Sequence, residues 1–342
     1  MAEKPPTETG SAKQAEPGTA SLPLYAELHC ISNFSFLRGA SFPEELVERA
    51  DELGYRAIAI TDECSLSGVV RAHTAAKQRH IKLIIGSEFV LAEGCRLILL
   101  ACNRRGHGEL SHLISCARRD ARKGSYLIDR KMVEANLSRD CLALWNPHLG
   151  QSPELIACQA VWLSRQFQNR LWIATELLLR GDDRLKLQRL GKLGAQYDIP
   201  LCAAGGVYMH DAGRRILQDT LTAIRLIRPI SELGLDAESN GQRHLRSPEQ
   251  LAKLFPSELL DTTLQIAERC NFSLDELRYE YPRELVPEGH TPHGWLRELT
   301  EAGVRERWPA GATPKVRNII EHELALIKEL AYEHYFLTVH DM

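Results

Sequence analysis

Short apolar runs recur along residues 24–204, and most are followed by a stretch in which apolar residues have helical spacing. Short apolar runs bounded by turn residues are typical of buried strands, and apolar positions three or four apart are typical of amphipathic helices. The predicted strands lie at 24–29, 57–61, 83–89, 96–102, 141–145, 171–175 and 200–204. The predicted helices lie at 43–50, 65–80, 107–121, 152–167, 182–196 and 211–226.

This alternation of strand and helix is typical of parallel strands joined by right-handed crossovers. Seven such units favour a closed or nearly closed βα barrel, and an open doubly wound sheet is the alternative. After residue 247 the pattern becomes helical, and Ser247 is a suitable N-cap because Pro248 follows at the first helical position. Further helices are predicted at 259–270, 294–308 and 316–332, and a strand-like apolar run at 335–342 predicts that the polypeptide continues.

Polar residues stand where several predicted strands end. His29 ends the first run, Asp62 and Glu63 follow the second, Glu88 closes the third, and Glu176 follows the sixth. In βα barrels the chemistry collects at this edge, where strands pass into βα loops. A histidine and several carboxylates at four strand ends are the donors that a metal site at the barrel mouth would need.

Charge and cysteine content narrow the class of protein. The net charge is −3, so the chain does not grip DNA over its whole surface, since phosphate binding requires basic residues. The basic segment 118–123 is best explained as a solvated helix end, and a local contact with DNA is the alternative. Nine cysteines without a Cys-x-x-Cys pair predict free thiols in the cytoplasm, and no apolar run reaches membrane-span length. Residues 1–23 are poor in apolar residues and are predicted to be a disordered tail.

A resemblance to a known family becomes specific at 26–41, which read AELHCISNFSFLRGAS. This segment resembles the opening motif of the PHP domain in DnaE-type DNA polymerase α subunits, written H-L-H-x-H-S…S-x-L-x-G-A, and is most similar to the error-prone branch often called ImuC. Further matches follow in order at 59–63, 84–88, 97–103 and 217–225. The tail from 289 to 337 looks like the entrance to a polymerase palm.

The resemblance implies a PHP-type distorted (βα)7 barrel, followed by the truncated start of a palm. It places a disordered tail at 1–23, the PHP domain at 24–275 and the palm region at 276–342. Active PHP domains bind up to three metal ions and act as phosphoesterases or proofreading nucleases. Zinc, manganese and iron suit such mixed histidine and carboxylate ligands.

Comparison with the family motifs, position by position, shows that most metal ligands have been replaced. The second histidine of the opening motif is Ile31, and the histidine of the T-D-H motif is Glu63. Gly206 and Tyr208 stand where the family has aspartate and histidine, and Gln218 replaces a further family histidine.

The remnant ligand positions are His29, Asp62, Glu63 and Glu88. They could hold at most one weakly bound ion, so we expect no metal cluster, no organic cofactor and no nuclease activity. Arg38 could supply the positive charge that metals supply in active relatives.

The resemblance therefore predicts a structural PHP domain in an error-prone translesion DNA polymerase, a nucleotidyltransferase that uses Mg²⁺. No catalytic residue is predicted here, since the polymerase aspartates are expected beyond Met342. The expected partners are DNA through the whole polymerase, other mutasome proteins and the sliding clamp, and this part alone is expected to be monomeric. Two alternatives stay open: a PHP metallophosphoesterase or exonuclease, and a protein-interaction module of the mutasome.

Overall fold

The computed structural model describes residues 23–277 and 285–342. Except for Pro23, the predicted tail therefore lies outside the described residues. The predicted start of a new segment near Arg278 also lies outside them. The chain divides into two compact units, with the division after Glu276. The first unit contains all of the predicted strand and helix repeats.

The described residues of the first unit contain seven strands. They are β1 (Ala26–Glu27), β2 (Ala57–Ile60), β3 (Lys82–Val90), β4 (Arg96–Ala101), β5 (Cys141–Asn146), β6 (Leu171–Glu176) and β7 (Leu201–Ala204). They form one sheet in sequence order. Each strand overlaps an apolar run that predicted it, because a strand buried on both faces needs a nearly continuous apolar sequence.

The sheet is not wholly parallel, and the expectation of parallel strands was wrong at β4. This strand runs antiparallel to both β3 and β5, whereas the remaining neighbours are parallel. Residues 91–95 alone connect β3 to β4. A parallel crossover requires about a dozen residues or more, so this connection can form only a hairpin.

The two ends of the sheet meet at Cys30 and Val207, which form a parallel bridge. The amide of Ile31 donates to the carbonyl of Val207 at 2.9 Å, and the amide of Val207 donates to the carbonyl of His29 at 3.0 Å. These bonds lie just beyond the last residues of β1 and β7. The sheet is therefore a nearly closed barrel, as the alternation of strands and helices predicted.

The described part of the first unit contains nine α-helices. They are α1 (Pro43–Glu52), α2 (Val69–Arg79), α3 (Arg104–Arg119), α4 (Arg130–Asn136), α5 (Pro153–Gln166), α6 (Asp183–Tyr197), α7 (Arg215–Leu226), α8 (Pro248–Leu254) and α9 (Ser257–Arg269). The sequence pattern missed α4, because it is short and buries little beyond Val133. Its N-cap, Asp129, accepts a hydrogen bond from the amide of Met132 at 2.8 Å.

The barrel interior is lined by one of the two alternating faces of each strand. In β5, Leu142 and Leu144 join the inner cluster, whereas Cys141, Ala143 and Trp145 pack under the surrounding helices. This alternation follows from the two-residue repeat of side-chain direction in a strand. Helix α9 adds apolar side chains to the same inner cluster. The barrel is therefore filled with side chains, and polar chemistry is confined to its rim.

The second unit contains α10 (Pro292–Arg307), α11 (Pro314–Glu329) and α12 (Glu333–Asp341) among its described residues. The strand-like run predicted at 335–342 was wrong, since these residues belong to α12 except for the last. A short apolar run does not distinguish a strand from a buried helical turn. Leu337 lies in a small core with Leu296, Leu324 and Ile327, and this packing decides in favour of the helix.

Ser247 caps α8, and we expect its replacement by alanine to lower the free energy of unfolding by about 1 kcal/mol. Its side chain and that of Gln250 form a reciprocal capping box, in which Ser247 Oγ accepts from the amide of Gln250. Urea denaturation followed by circular dichroism measures the change. Ser257→Ala is the matched control, because Ser257 is exposed at the start of α9 and makes no capping bond. Equal effects of both substitutions would contradict the capping role.

Candidate functional site

His29 lies at the centre of a buried ionic network at the mouth of the barrel. Its side chain is 1% exposed and stands between two carboxylates that come from distant strands. The ring Nε2 lies 2.5 Å from Oε2 of Glu88 in β3, and Nδ1 lies 2.9 Å from Oε1 of Glu176 at the end of β6. Three of the predicted strand-end residues are therefore in direct contact.

The pKa values describe this trio as an imidazolium between two carboxylates. Burial alone would lower the pKa of His29, but hydrogen bonds to Glu176 and Glu88 outweigh it and raise the pKa to about 10. Burial would raise the pKa of Glu88, but the bond to His29 and the nearby arginines lower it to about 2. The pKa of Glu176 also lies well below its usual value, because His29 and Arg243 outweigh burial. A protonated ring donates from both nitrogens, one to each carboxylate.

Arg243 is the second cation of the network. Its Nη1 donates to the carbonyl of Gly206 at 2.9 Å and lies 3.4 Å from Oε2 of Glu176. Its Nε donates to Oε1 of Glu238 at 2.6 Å. The guanidinium also lies over the ring of Tyr208, 4.4 Å from the centroid. Arg243 therefore neutralises two carboxylates from inside the barrel rim.

Two more arginines approach the carboxylate of Glu88. Arg38, in the loop after β1, donates to Glu63 and lies 3.9 Å from Oε1 of Glu88. Arg96, the first residue of β4, lies at the same distance from that oxygen. The expectation that Arg38 supplies positive charge to the carboxylates is confirmed, and Arg96 shares this role.

The carboxylates that follow β2 have other partners. Asp62 accepts hydrogen bonds from the amide and hydroxyl of Ser32 and from the hydroxyl of Ser35, each at 2.7 Å. Glu63 accepts a hydrogen bond from the hydroxyl of Tyr126 at 2.7 Å, in addition to the one from Arg38. Asp62 therefore fixes the loop after β1, and both carboxylates have hydrogen-bond partners within the protein.

Three of the positions at which the resemblance implies a lost metal ligand have structural contacts. Ile31 is buried and apolar, 1% exposed. Tyr208 lies under the guanidinium of Arg243. Gln218, in α7, donates from Nε2 to the carbonyl of Arg38 at 3.3 Å. None of these side chains offers the imidazole nitrogen that the family motif has at its position.

Gly206 stands where the resemblance implies an aspartate. Its backbone has a φ of +57°, a conformation that glycine adopts without strain. A Cβ atom there would lie 2.6 Å from Cδ of Glu176 and 2.8 Å from Nη1 of Arg243. The aspartate of the family motif cannot be accommodated at this position while Arg243 occupies its present place.

The donor set does not fit the metal cluster that the PHP resemblance implies. Across residues 23–277 and 285–342, no three His, Cys, Asp or Glu side chains are arranged to hold a metal ion. The nitrogens of His29 and the facing oxygens of Glu88 and Glu176 are bonded to one another. The positive charge at this rim comes from side chains of the protein itself.

The basic segment 118–123 also contributes to structure near the rim. Arg118 donates from Nη2 to the carbonyl of Cys64 at 3.0 Å and to that of Glu63 at 3.3 Å. Its guanidinium lies over the ring of Tyr126. Arg118 therefore holds the loop that follows β2. The sequence pattern had indicated only a solvated helix end for this segment.

Sequence reasoning did not find the full network. Glu176 was recognised as a strand-end carboxylate but not as a ligand remnant, and Arg96, Tyr126 and Arg243 were not singled out. Arg243 lies in an irregular segment between α7 and α8, where no periodic pattern indicates which side chains face inward. Arg96 begins β4, and only the antiparallel direction of this strand, which the sequence pattern missed, places it near Glu88.

The PHP domain family matches residues 27–177, which include all of the strands from β2 to β6. The family described as "Bacterial DNA polymerase III alpha NTPase domain" matches residues 294–342. Residues 27–177 of the barrel are therefore similar to PHP domains. A solved structure of an amidohydrolase from Chromobacterium violaceum covers 54% of this chain and 88% of its own, with 14% identity and a TM-score of 0.42, and is too distant to bear on function.

Relatives that are longer than this chain are similar to it over most of its length. An error-prone DNA polymerase from Methylococcus capsulatus is 56% identical over 319 residues, which are 93% of this chain and 30% of the relative. One from Dechloromonas aromatica is 53% identical over 326 residues, 94% of this chain and 31% of the relative. The chain is thus homologous to error-prone DNA polymerases over most of its length, and it spans about a third of the length of these relatives.

Proposed function

We propose that this chain is the PHP-containing part of an error-prone DNA polymerase that copies damaged templates with the help of Mg²⁺. The support is the identity of 56% to a relative of that name and the polymerase III α match at 294–342. In this assignment the PHP domain occupies 24–275 and the start of the polymerase palm occupies 276–342. The aspartates for nucleotidyl transfer belong to palm motifs outside this stretch.

We further propose that the barrel is a structural scaffold without nuclease activity. The observation that carries this proposal is the contact of His29 with Glu88 and Glu176, completed by Arg243. A phosphodiesterase of this class needs metal ions to polarise phosphate and to supply hydroxide. Here the donors bind one another, so the rim stabilises the fold and presents no open coordination site.

The proposed partners follow from the same assignment. DNA is bound through the whole polymerase, and other mutasome proteins and the sliding clamp join it in the cytoplasm. This part alone is proposed to be monomeric. Within the part of the chain that the structure describes, no helix is long and apolar enough to cross a membrane.

Purified without chelator and dialysed, the chain is expected to contain far less than one equivalent of zinc, manganese or iron. The physical reason is that a metal ion would have to displace the proton of His29 and break its two carboxylate bonds. Elemental analysis measures the content, and a PHP enzyme with the complete ligand set, purified in the same way, is the positive control.

A nuclease assay on single-stranded and mismatched DNA completes the test, with added Mn²⁺ in parallel. We expect no cleavage above that of a buffer blank. Stoichiometric metal together with cleavage would contradict the scaffold proposal and favour the metallophosphoesterase alternative.

A further inference from the structure

A cavity of about 810 Å³ opens at the barrel mouth beside the buried network. Its volume is within the range of roughly 300–1,000 Å³ that is usual for small-molecule sites. Arginine is the most frequent residue in the walls of this cavity. The six arginines are Arg38, Arg96, Arg180, Arg215, Arg225 and Arg243.

Carboxylates neutralise this positive charge only in part. Asp182, Asp236 and Glu238 also line the cavity. Glu238 is bound by Arg180 and by Arg243. Carboxylates behind the walls also face these arginines, since Arg38 pairs with Glu63, Arg215 with Asp219, and Arg96 lies near Glu88. An anion is therefore the class of ligand favoured by those arginines that make no hydrogen bond.

Two of the arginines are available for such a ligand. The Arg96 side chain makes no hydrogen bond within the described residues, and its nearest ion-pair partner is an oxygen of Glu88 at 3.9 Å. Arg225 is exposed and has neither a hydrogen bond nor an ion pair with any residue that the structure describes. A guanidinium presents a planar fork of N–H donors that matches the oxygens of phosphate.

The side chain of Gln218 indicates independently that the ligand also carries a hydrogen-bond donor. Its side chain lines the cavity and is 4% exposed, yet its Oε1 accepts no hydrogen bond from any described residue. The orientation of the amide is well determined, because Nε2 faces two oxygens, the carbonyl of Arg38 at 3.3 Å and Oγ1 of Thr222 at 3.4 Å. A buried acceptor without a partner is costly, so this position calls for an N–H or O–H donor.

We propose that this cavity binds a nucleotide without a metal ion. The phosphate contacts cavity arginines, Arg96 and Arg225 among them, and an N–H or O–H of the base or sugar donates to Oε1 of Gln218. A simple anion would satisfy the arginines but not Gln218, and it would fill little of the volume. This inference goes beyond the scaffold role and does not depend on it, since a metal-free barrel that binds no nucleotide would still serve as a scaffold.

Isothermal titration of the 342-residue chain with dAMP in low salt and EDTA tests the proposal. We expect saturable binding of dAMP that weakens as salt is added, because exposed charges are then screened. Inorganic phosphate is expected to bind more weakly than dAMP, and deoxyadenosine is expected not to bind. Absence of saturable dAMP binding, or equal affinity for phosphate and dAMP, would overturn the assignment.

Variants locate the site. Arg96→Ala is expected to weaken dAMP binding about tenfold or more, as is usual for a lost hydrogen bond to a charged group. Gln218→Leu is expected to weaken dAMP binding and to leave phosphate binding unchanged. Arg225→Ala is a second phosphate-side variant that does not threaten the fold, because this residue is exposed. Arg105→Ala is the control, since Arg105 is 73% exposed and lies outside the cavity.

Two further outcomes would also contradict the proposal. Unchanged dAMP affinity in both Arg96→Ala and Arg225→Ala would place the nucleotide elsewhere. A single-stranded oligothymidylate that binds more tightly than dAMP and displaces it would show that the rim follows a DNA strand, so the mononucleotide assignment would be wrong.

Discussion

Replacing Arg243 by alanine is expected to lower the free energy of unfolding by about 3–5 kcal/mol, the usual effect of removing one partner of a buried ion pair. The side chain is 7% exposed overall and bonds to Glu238, to the carbonyl of Gly206 and, less closely, to Glu176. Without it, Glu176 retains His29 but loses its second cation, and the Gly206 carbonyl loses its donor. Urea denaturation followed by circular dichroism measures the loss.

Two variants separate this effect from the general effect of removing an arginine. Arg228→Ala breaks an exposed pair with Asp236, in which both side chains are about half exposed, and should change stability by about 1 kcal/mol or less. Arg243→Lys keeps the charge but loses the planar fork, so an intermediate loss is expected. A loss for Arg243→Ala no larger than that of Arg228→Ala would mean that Arg243 is not part of the structural core of the rim.

Replacing His29 by asparagine is expected to cost a similar amount, about 3–5 kcal/mol, for an electrostatic reason. The imidazolium separates Glu88 from Glu176, and both carboxylates are almost fully buried. Asparagine carries no charge, so two buried anions would then rely on the arginines alone. His112→Asn is the control, because His112 is exposed on α3 and its substitution should change stability by about 0.5 kcal/mol or less.

A charge-matched variant tests the reason as well as the size of the effect. In His29→Asn combined with Glu88→Gln and Glu176→Gln, the buried anions are removed together with the cation. We expect this triple variant to be more stable than His29→Asn by about 1 kcal/mol or more. Replacing a whole buried ion cluster by apolar or neutral side chains costs less stability than removing only one of its charged partners. A triple variant less stable than His29→Asn would show that packing, and not charge, dominates.

The sequence pattern favoured the barrel over an open doubly wound sheet because seven short apolar runs recur, most of them followed by an amphipathic stretch. Runs such as 57–61 and 171–175 became β2 and β6 almost residue for residue. The antiparallel direction of β4 was missed, although the connection at 91–95 carried the information in its length. The helix at Glu333–Asp341 was missed for a different reason, since only its contacts with Leu296 and its neighbours distinguish it from a strand.

Some features of the candidate site could likewise be predicted from the sequence, and others could not. The sequence shows that Ile31 and Glu63 are not histidines, and the resemblance implies that they are lost ligand positions. The apolar runs also placed His29, Glu88 and Glu176 at or near strand ends, because strand ends follow from apolar periodicity. The sequence by itself therefore determined the fold class and the composition of the rim.

Only the tertiary structure decided which charges meet. His29 and Glu176 are 147 residues apart in sequence, and Arg243 reaches Glu176 from an irregular segment 67 residues further on. Periodicity carries no information about such a segment, because its side-chain directions depend on the contacts it makes. Burial in a low-dielectric rim then gives these contacts their strength, and that property belongs to the folded chain alone.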